Sequence, residues 1–246
     1  MQEFPPRMLG GLLGGHAMAL EAKKRRRNDN IDDPDEPPSM VWYDGQLLRL
    51  AVDLGRRILP AFNSTTGIPF SRINLRHGIA SKAGREETCT ACAGTMILEF
   101  AALSRFSGDP VFEAKARHAM EQLWNFRHRE TDLVGTVINV ESGEWQRRDS
   151  GIGAGIDSYY EYLFKGYILL SDDDYLDRFN AHYKSIQKYI RKGPLWVDVH
   201  MHKPTTTAKN FMDALAAYWP GLQVLKGDLQ SAIETHEMLY QVCVFA

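Results

Sequence analysis

Four carboxylic acids stand in stretches that are otherwise largely apolar, and they are the residues of this 246-residue chain best placed to do chemistry. Glu99 lies within TMILEFAALSRF, Asp157 and Glu161 within GAGIDSYYEYLFK, and Asp213 within FMDALAAYW. A helix packed inside a fold should be apolar all round, so a charge on it calls for a reason. Asp157 and Glu161 are four apart and share one helical face, where like charges repel unless a cation or a bound proton separates them. Paired carboxyls perform acid–base hydrolysis of glycosidic bonds: one protonates the leaving oxygen while another acts as nucleophile or activates water. The aromatics Tyr159, Tyr160, Tyr162 and Trp219 are candidates to pack on sugar faces. Each acid alone also has a structural reading; Asp157, just after Gly151, Gly153 and Gly155, would suit a helix dipole. Several acids on successive inner helices carry the functional reading.

The elements that must position these acids read as helix after helix. In GQLLRLAVDLGRRILPAF, Leu47, Leu48, Ala51, Leu54, Ile58 and Leu59 fall on one face at three-and-four spacing, with Asp44 as the expected cap. The same pattern restarts at Asp109-Pro110, at Asp174 and at Asp228, an interval of roughly 55–65 residues that fits a helical hairpin plus its connection. Between these amphipathic helices lie more apolar segments, 91–106, 156–170 and 211–218, so the pattern predicts an all-α toroid with charged outer and apolar inner helices. Segments 134–140 and 195–202 read as strand-like connectors. Residues 23–39 (KKRRRNDNIDDPDEPPS) hold almost nothing to bury and read as a flexible surface loop.

Other features bound the function. Net charge is −2 with no overall basic excess, which points away from nucleic acid as a partner. No apolar run reaches the length of a membrane span. The basic run Lys23 to Arg27 follows the mildly apolar Leu9 to Leu20 rather than preceding it, so no export signal is read. Three cysteines exclude a disulfide framework as the main source of stability. Cys89-Thr-Ala-Cys92 stands at a helix start, where a thiolate would be stabilised, but a zinc site needs a second pair and a thioredoxin unit needs a βαβ context. Small buried packing cysteines are the favoured reading. Asn63-Ser-Thr is a glycosylation sequon, His200 and His202 read as a surface pair, and GIGAG lacks the flanking signals of a phosphate loop.

Taken together, RMLGGLLGGHAMAL, ILPAFNSTTGIPFSRINLRHGI, ETCTACAGTMILEFAALSRFSGDPVFE, SGIGAGIDSYYEYLFKGYILL and MDALAAYWPGLQVLKGDLQSAIETHEMLYQV resemble glycoside hydrolase family 47. Within it they look most like the ER degradation-enhancing α-mannosidase-like branch. The resemblance implies an (α/α)7 barrel in the ER lumen, with Ca²⁺ at its base, that trims α1,2-linked mannose by inversion. It implies as partners high-mannose N-glycans on misfolded glycoproteins and an ER oxidoreductase. By resemblance Asp157 is a catalytic acid, and Glu3, four before Arg7, is the general acid of an E-x-x-x-R helix. Glu99, Asp213, Arg7 and Glu161 belong to the sugar pocket, and Gly155 stands where processing mannosidases carry Arg. Pro5 and Pro6 predict a helix that starts after Glu3 and leaves it frayed. The family's R-P-E glutamate and calcium-binding Thr belong to its second half, so the chain corresponds to about the first four hairpins of seven, with no metal ligand of its own. It is expected to be an inactive, aggregation-prone piece; the alternative is a non-catalytic module that binds mannose glycans or misfolded clients.

Overall fold

The computed structural model describes residues 4–29, 42–79, 86–209 and 213–245. Helix α1 (Phe4–Asp29) packs on α2 (Gln46–Ile58); after the short α3 (Thr90–Gly94), α4 (Ile97–Ser107) packs on α5 (Val111–Phe126). Two more hairpins follow, α6 (Asp157–Leu170) on α7 (Asp173–Ser185) and α8 (Trp219–Lys226) on α9 (Leu229–Phe245). Four stacked helical hairpins are the architecture that the repeating pattern predicts. The inner members α1, α4 and α6 also touch one another in sequence, and this row carries the acids.

Burial explains the pattern. In α2 the buried Ala51, Leu54 and Ile58 are the inward stripe expected from spacing. In α4 Phe100 is fully buried, with ring centroids 5.6 Å from Phe62 and 5.8 Å from Phe112. Burying one such side chain stabilises by about 2 kcal/mol. The helix stops where Gly108 takes a left-handed conformation (φ 77°) and its N–H returns to the Ser104 carbonyl. Tyr159, Tyr160 and Trp219, expected to meet sugar, are instead fully buried. Tyr160 and Trp219 pack edge to face and Tyr183 stacks on Trp219 at 5.6 Å, so these rings cement α6, α7 and α8 together.

Several local expectations change. The basic run from Lys23 belongs to α1 rather than to a loop, and the Lys23 Nζ donates to the Tyr43 carbonyl at 2.9 Å. Lys and Arg are good helix formers and suit a helix C-terminus, which outweighs their solubility; residues 30–39 of that expected loop lie outside the described residues. Among the described residues α1 starts at Phe4, the residue after Glu3, and takes Pro5 and Pro6 into its first turn. In the first turn a missing N–H removes no helical hydrogen bond. Glu3 lies outside the described residues. Asp44 does not cap α2: Gly45 holds that position and Asp44 pairs with Arg49 at 3.1 Å. α7 is capped by Asp172, whose carboxylate accepts the Asp174 N–H, two residues earlier than expected. Asp228 does accept the Ser231 N–H at the start of α9. Of the segment 211–218, expected as an inner helix, the described residues hold a 3-10 turn, Ala214–Tyr218, instead.

Short antiparallel strands connect the hairpins. β1 (Glu87–Cys89), β2 (Val137–Asn139) and β3 (Trp145–Arg147) form one sheet. β4 (Asp149–Ser150) begins a second sheet completed by β7 (Asp198–His200) and β8 (Lys203–Lys209), while β5 (Arg191–Lys192) pairs with β6 (Leu195–Trp196). The strand-like segments expected at 134–140 and 195–202 are therefore strands over part of their length. β1 runs directly into α3, whose first N–H groups reach Thr136 O at 3.1 Å and Gly155 O at 2.8 Å. No helix among the described residues is long and apolar enough to cross a membrane.

Candidate active site

The acids of α4 and α6 meet in one cleft of ≈ 680 Å³, with Arg7 of α1 on its rim. Glu99, Asp157 and Glu161 all line it. Asp157 is the first residue of α6, held there by its N–H bond to the Gly153 carbonyl at 3.0 Å. One turn on, Glu161 accepts from Lys165 Nζ at 2.6 Å. That ammonium supplies the cation that two carboxylates at this spacing require.

Glu99 sits deeper. Its Oε1 accepts the Tyr162 hydroxyl at 2.6 Å, whereas Oε2 is buried without a hydrogen-bond partner among the described residues. Burial pushes its carboxyl above the ordinary carboxylate range, and the bond from Tyr162 offsets part of that rise. Gly10 of α1 faces this side chain, and a Cβ there would stand in ordinary contact, 3.6 Å from Glu99 Cγ. Sequence placed Tyr162 against sugar. In the fold it lines the cleft but donates to Glu99, a contact between residues 63 apart that no local spacing reveals. Tyr218, not singled out in the sequence, also lines the cleft with a buried hydroxyl that has no described partner. Burial, and the negative charge of Asp157, Glu161 and Asp213 nearby, keep that hydroxyl protonated.

Asp213 belongs to the wall rather than the lining. One carboxylate oxygen accepts the Leu215 N–H at 2.9 Å and caps the 3-10 turn. The other accepts the Ala154 N–H at 3.0 Å, clamping the glycine turn ahead of α6. This clamp is why the turn is rich in glycine: a Cβ on Gly153 would overlap Asp213 Oδ2. Gly155 is the left-handed residue of the turn (φ 94°), and a Cβ there would come 2.6 Å from Thr136 Cγ2. GIGAG is thus a turn built around a carboxylate, not a phosphate cradle. Both of its oxygens are engaged on backbone N–H groups, and Asp213 is not among the residues that line the cleft.

Cys89 and Cys92 also line the cleft, and they are joined as a disulfide. The buried-thiol expectation is therefore corrected. His200 and His202 do neighbour each other, with His128 4.5 Å from the His202 ring. A second, smaller cavity of ≈ 340 Å³ opens beside Trp124. Its aromatic face is taken, because Arg127 stacks on Trp124 at 3.4 Å while paired with Asp132. Among the described residues no group of three or more His, Cys, Asp or Glu side chains is arranged to hold a metal ion.

These features define a mainly helical protein of stacked hairpins with an acid-lined cleft between its inner helices. The sequence profile of glycosyl hydrolase family 47 matches residues 2–245, and the chain belongs to that family. It is similar to ER degradation-enhancing alpha-mannosidase-like protein 3 of Xenopus laevis, at 58% identity over 240 residues, and of Homo sapiens, at 56% over 240 residues. Each of these alignments covers 96% of this chain and 25% of the relative, so the chain spans about a quarter of the length of those curated relatives. The solved alpha-1,2-mannosidase from Trichoderma reesei matches with a TM-score of 0.70 at 22% identity, covering 96% of this chain and 48% of that one. That likeness establishes the fold, an (α/α)7 barrel of which this chain presents about half.

Proposed function

We propose that the cleft between α1, α4 and α6 is the mannose-binding part of an α-1,2-mannosidase-type active site. The protein to which it belongs trims N-glycans of misfolded glycoproteins for degradation, in the ER lumen and with Ca²⁺. The observation that carries this reading is the convergence of Glu99, Asp157 and Glu161 with Arg7 on a single cleft. Family membership and the names of the relatives support the substrate class.

In this reading Asp157 is a catalytic carboxyl, and Glu3, outside the described residues, is the general acid that protonates the leaving oxygen. Arg7 and Glu161 hold sugar hydroxyls by charge-assisted hydrogen bonds, with Glu161 kept in place by Lys165. Glu99, its carboxyl raised by burial, keeps its proton to higher pH and donates it to a sugar oxygen from the deep end of the cleft. Asp213 positions Asp157 through the glycine turn instead of touching sugar. An ER oxidoreductase is a second partner in this reading, and the half-exposed disulfide supports it.

The test is release of mannose from an α1,2-linked high-mannose glycopeptide, with Ca²⁺, by the full-length protein and its Asp157→Asn variant. Loss of a carboxyl that moves a proton should cut turnover by about a hundredfold or more. Unchanged turnover in the variant would defeat the assignment. For the 246-residue chain alone, no mannose release is expected. Glycopeptide retention without release by the full-length protein would favour the non-catalytic module.

A further inference from the structure

The Cys89–Cys92 disulfide is the feature of the cleft that glycan chemistry does not use. Both cysteines are half-exposed and line the same cavity as Glu99 and Asp157, so a polypeptide brought to the cleft reaches them. A bridge across two intervening residues closes a very short loop, and it restricts the unfolded chain less than a long one does. Its local geometry favours exchange instead. The Cys92 N–H donates to Cys89 Sγ at 2.9 Å, a bond that strengthens when that sulfur carries negative charge. The backbone between the two sulfurs is anchored by the Thr90 and Ala91 N–H groups on Thr136 and Gly155. The cleft walls carry both signs, Arg7 and Arg147 against Glu99, Asp157 and Glu161. The preference between the two sulfurs therefore comes from the amide bond, not from net charge.

We propose that Cys89–Cys92 is a thiol–disulfide exchange site for cysteine thiols of an unfolded polypeptide at the cleft. A polypeptide thiolate attacks Cys92 Sγ, the S–S bond breaks, and Cys89 Sγ leaves with the electron pair, held by the Cys92 N–H. A second thiolate of the same polypeptide attacks the polypeptide sulfur of this mixed disulfide and expels Cys92 as a thiolate. The two protons released by the polypeptide thiols end on Cys89 and Cys92. The polypeptide dithiol is oxidised by two electrons, and the cysteine pair is reduced by two. Exchange needs access to the cleft and not mannose hydrolysis, so the two activities stand or fall separately.

The test uses the full 246-residue chain carrying Cys243→Ser, which leaves a single cysteine pair. It is mixed with an unfolded synthetic peptide bearing two cysteines and no glycan, quenched with acid, alkylated and mapped by mass spectrometry. The expected result is reduction of Cys89–Cys92 about tenfold faster than the same peptide reduces oxidised glutathione, with the peptide adduct on Cys92. Reduction no faster than that of glutathione, or an adduct confined to Cys89, overturns the proposal. In a Cys92→Ser, Cys243→Ser chain, alkylation of Cys89 by iodoacetamide should reach its midpoint about one pH unit below the ordinary thiol value near 8.5. A midpoint at or above that value also overturns it. Because the peptide carries no sugar, failure here leaves the mannose reading untouched.

Discussion

Tyr162 of α6 donates its hydroxyl proton to Glu99 of α4 at 2.6 Å, leaving the second carboxylate oxygen of Glu99 buried without a described partner. One bond therefore joins two inner helices and holds down the rise that burial imposes on the acid. Tyr162→Phe should raise the titration midpoint of Glu99 further and destabilise the fold by about 1 kcal/mol. Carboxyl carbon NMR of the two proteins over pH 3–8 reads the first effect on a scale set by free glutamate, whose midpoint is about 4.3. Equal midpoints would rule out the assigned role of the bond. The sign of the linked effect follows from burial: with the folded value raised, the unfolded chain loses this proton first. Glu99 therefore weighs increasingly against folding as pH rises from the unfolded value through the folded one. Glu99→Gln should remove that slope.

His182 gives a pH dependence of the opposite kind. It is fully buried between the Asp132 carbonyl, 2.6 Å from Nδ1, and the Tyr159 hydroxyl, 3.2 Å from Nε2. A carbonyl only accepts, so Nδ1 carries the proton and Nε2 accepts from Tyr159. Burial lowers its pKa from 6.5 to about 4. The unfolded chain therefore binds the proton first, and stability present above 6.5 is lost as pH falls through that window toward 4. The shift corresponds to about 3 kcal/mol over the whole window. Urea midpoints from pH 7 to pH 4 should fall in the parent chain and fall less in His182→Gln. A parallel fall in both would remove His182 from the account.

Gly153→Ala tests the clamp on the glycine turn. Its Cβ would overlap Asp213 Oδ2, so the Asp213–Ala154 bond must break or the turn must shift. A loss of about 2 kcal/mol is expected, and about half of it should be absent when Asp213→Ala is already in place. Strictly additive losses in the double mutant would mean the two residues are uncoupled.

Exposed apolar side chains mark the last hairpin: Val224, Leu225, Leu229, Ile233 and Tyr240 are each about half or more exposed. Surface of this kind drives association. The 246-residue chain should scatter light increasingly with concentration, and Leu229→Lys with Ile233→Glu should reduce the effect severalfold. A monodisperse parent chain at tens of micromolar would count against this.

What could be read from the sequence was whatever repeats locally. The three-and-four stripe of α2 and the recurring aspartates gave the hairpins, because helix packing imposes a period on adjacent residues. The Glu161–Lys165 pair was equally open to reading, being an i,i+4 relationship. The clamp that Asp213 makes was not legible because its partner, Ala154, is 59 residues away and the bond uses a backbone amide that carries no sequence signature. Tyr159, Tyr160 and Trp219 were misread for a related reason: an aromatic at helical spacing looks the same whether it faces a ligand or a neighbouring helix. The disulfide was hidden because C-x-x-C spacing permits a bridge, a metal site or two thiols alike.

The bond from Ala154 to Asp213 also sets an order of events during synthesis. The turn that aims Asp157 leaves the ribosome long before its clamping carboxylate does, so a nascent chain carries a loose turn until the segment after 213 emerges. At about 5–20 residues per second that interval lasts several seconds, ample time for a chaperone to find the cleft half-built.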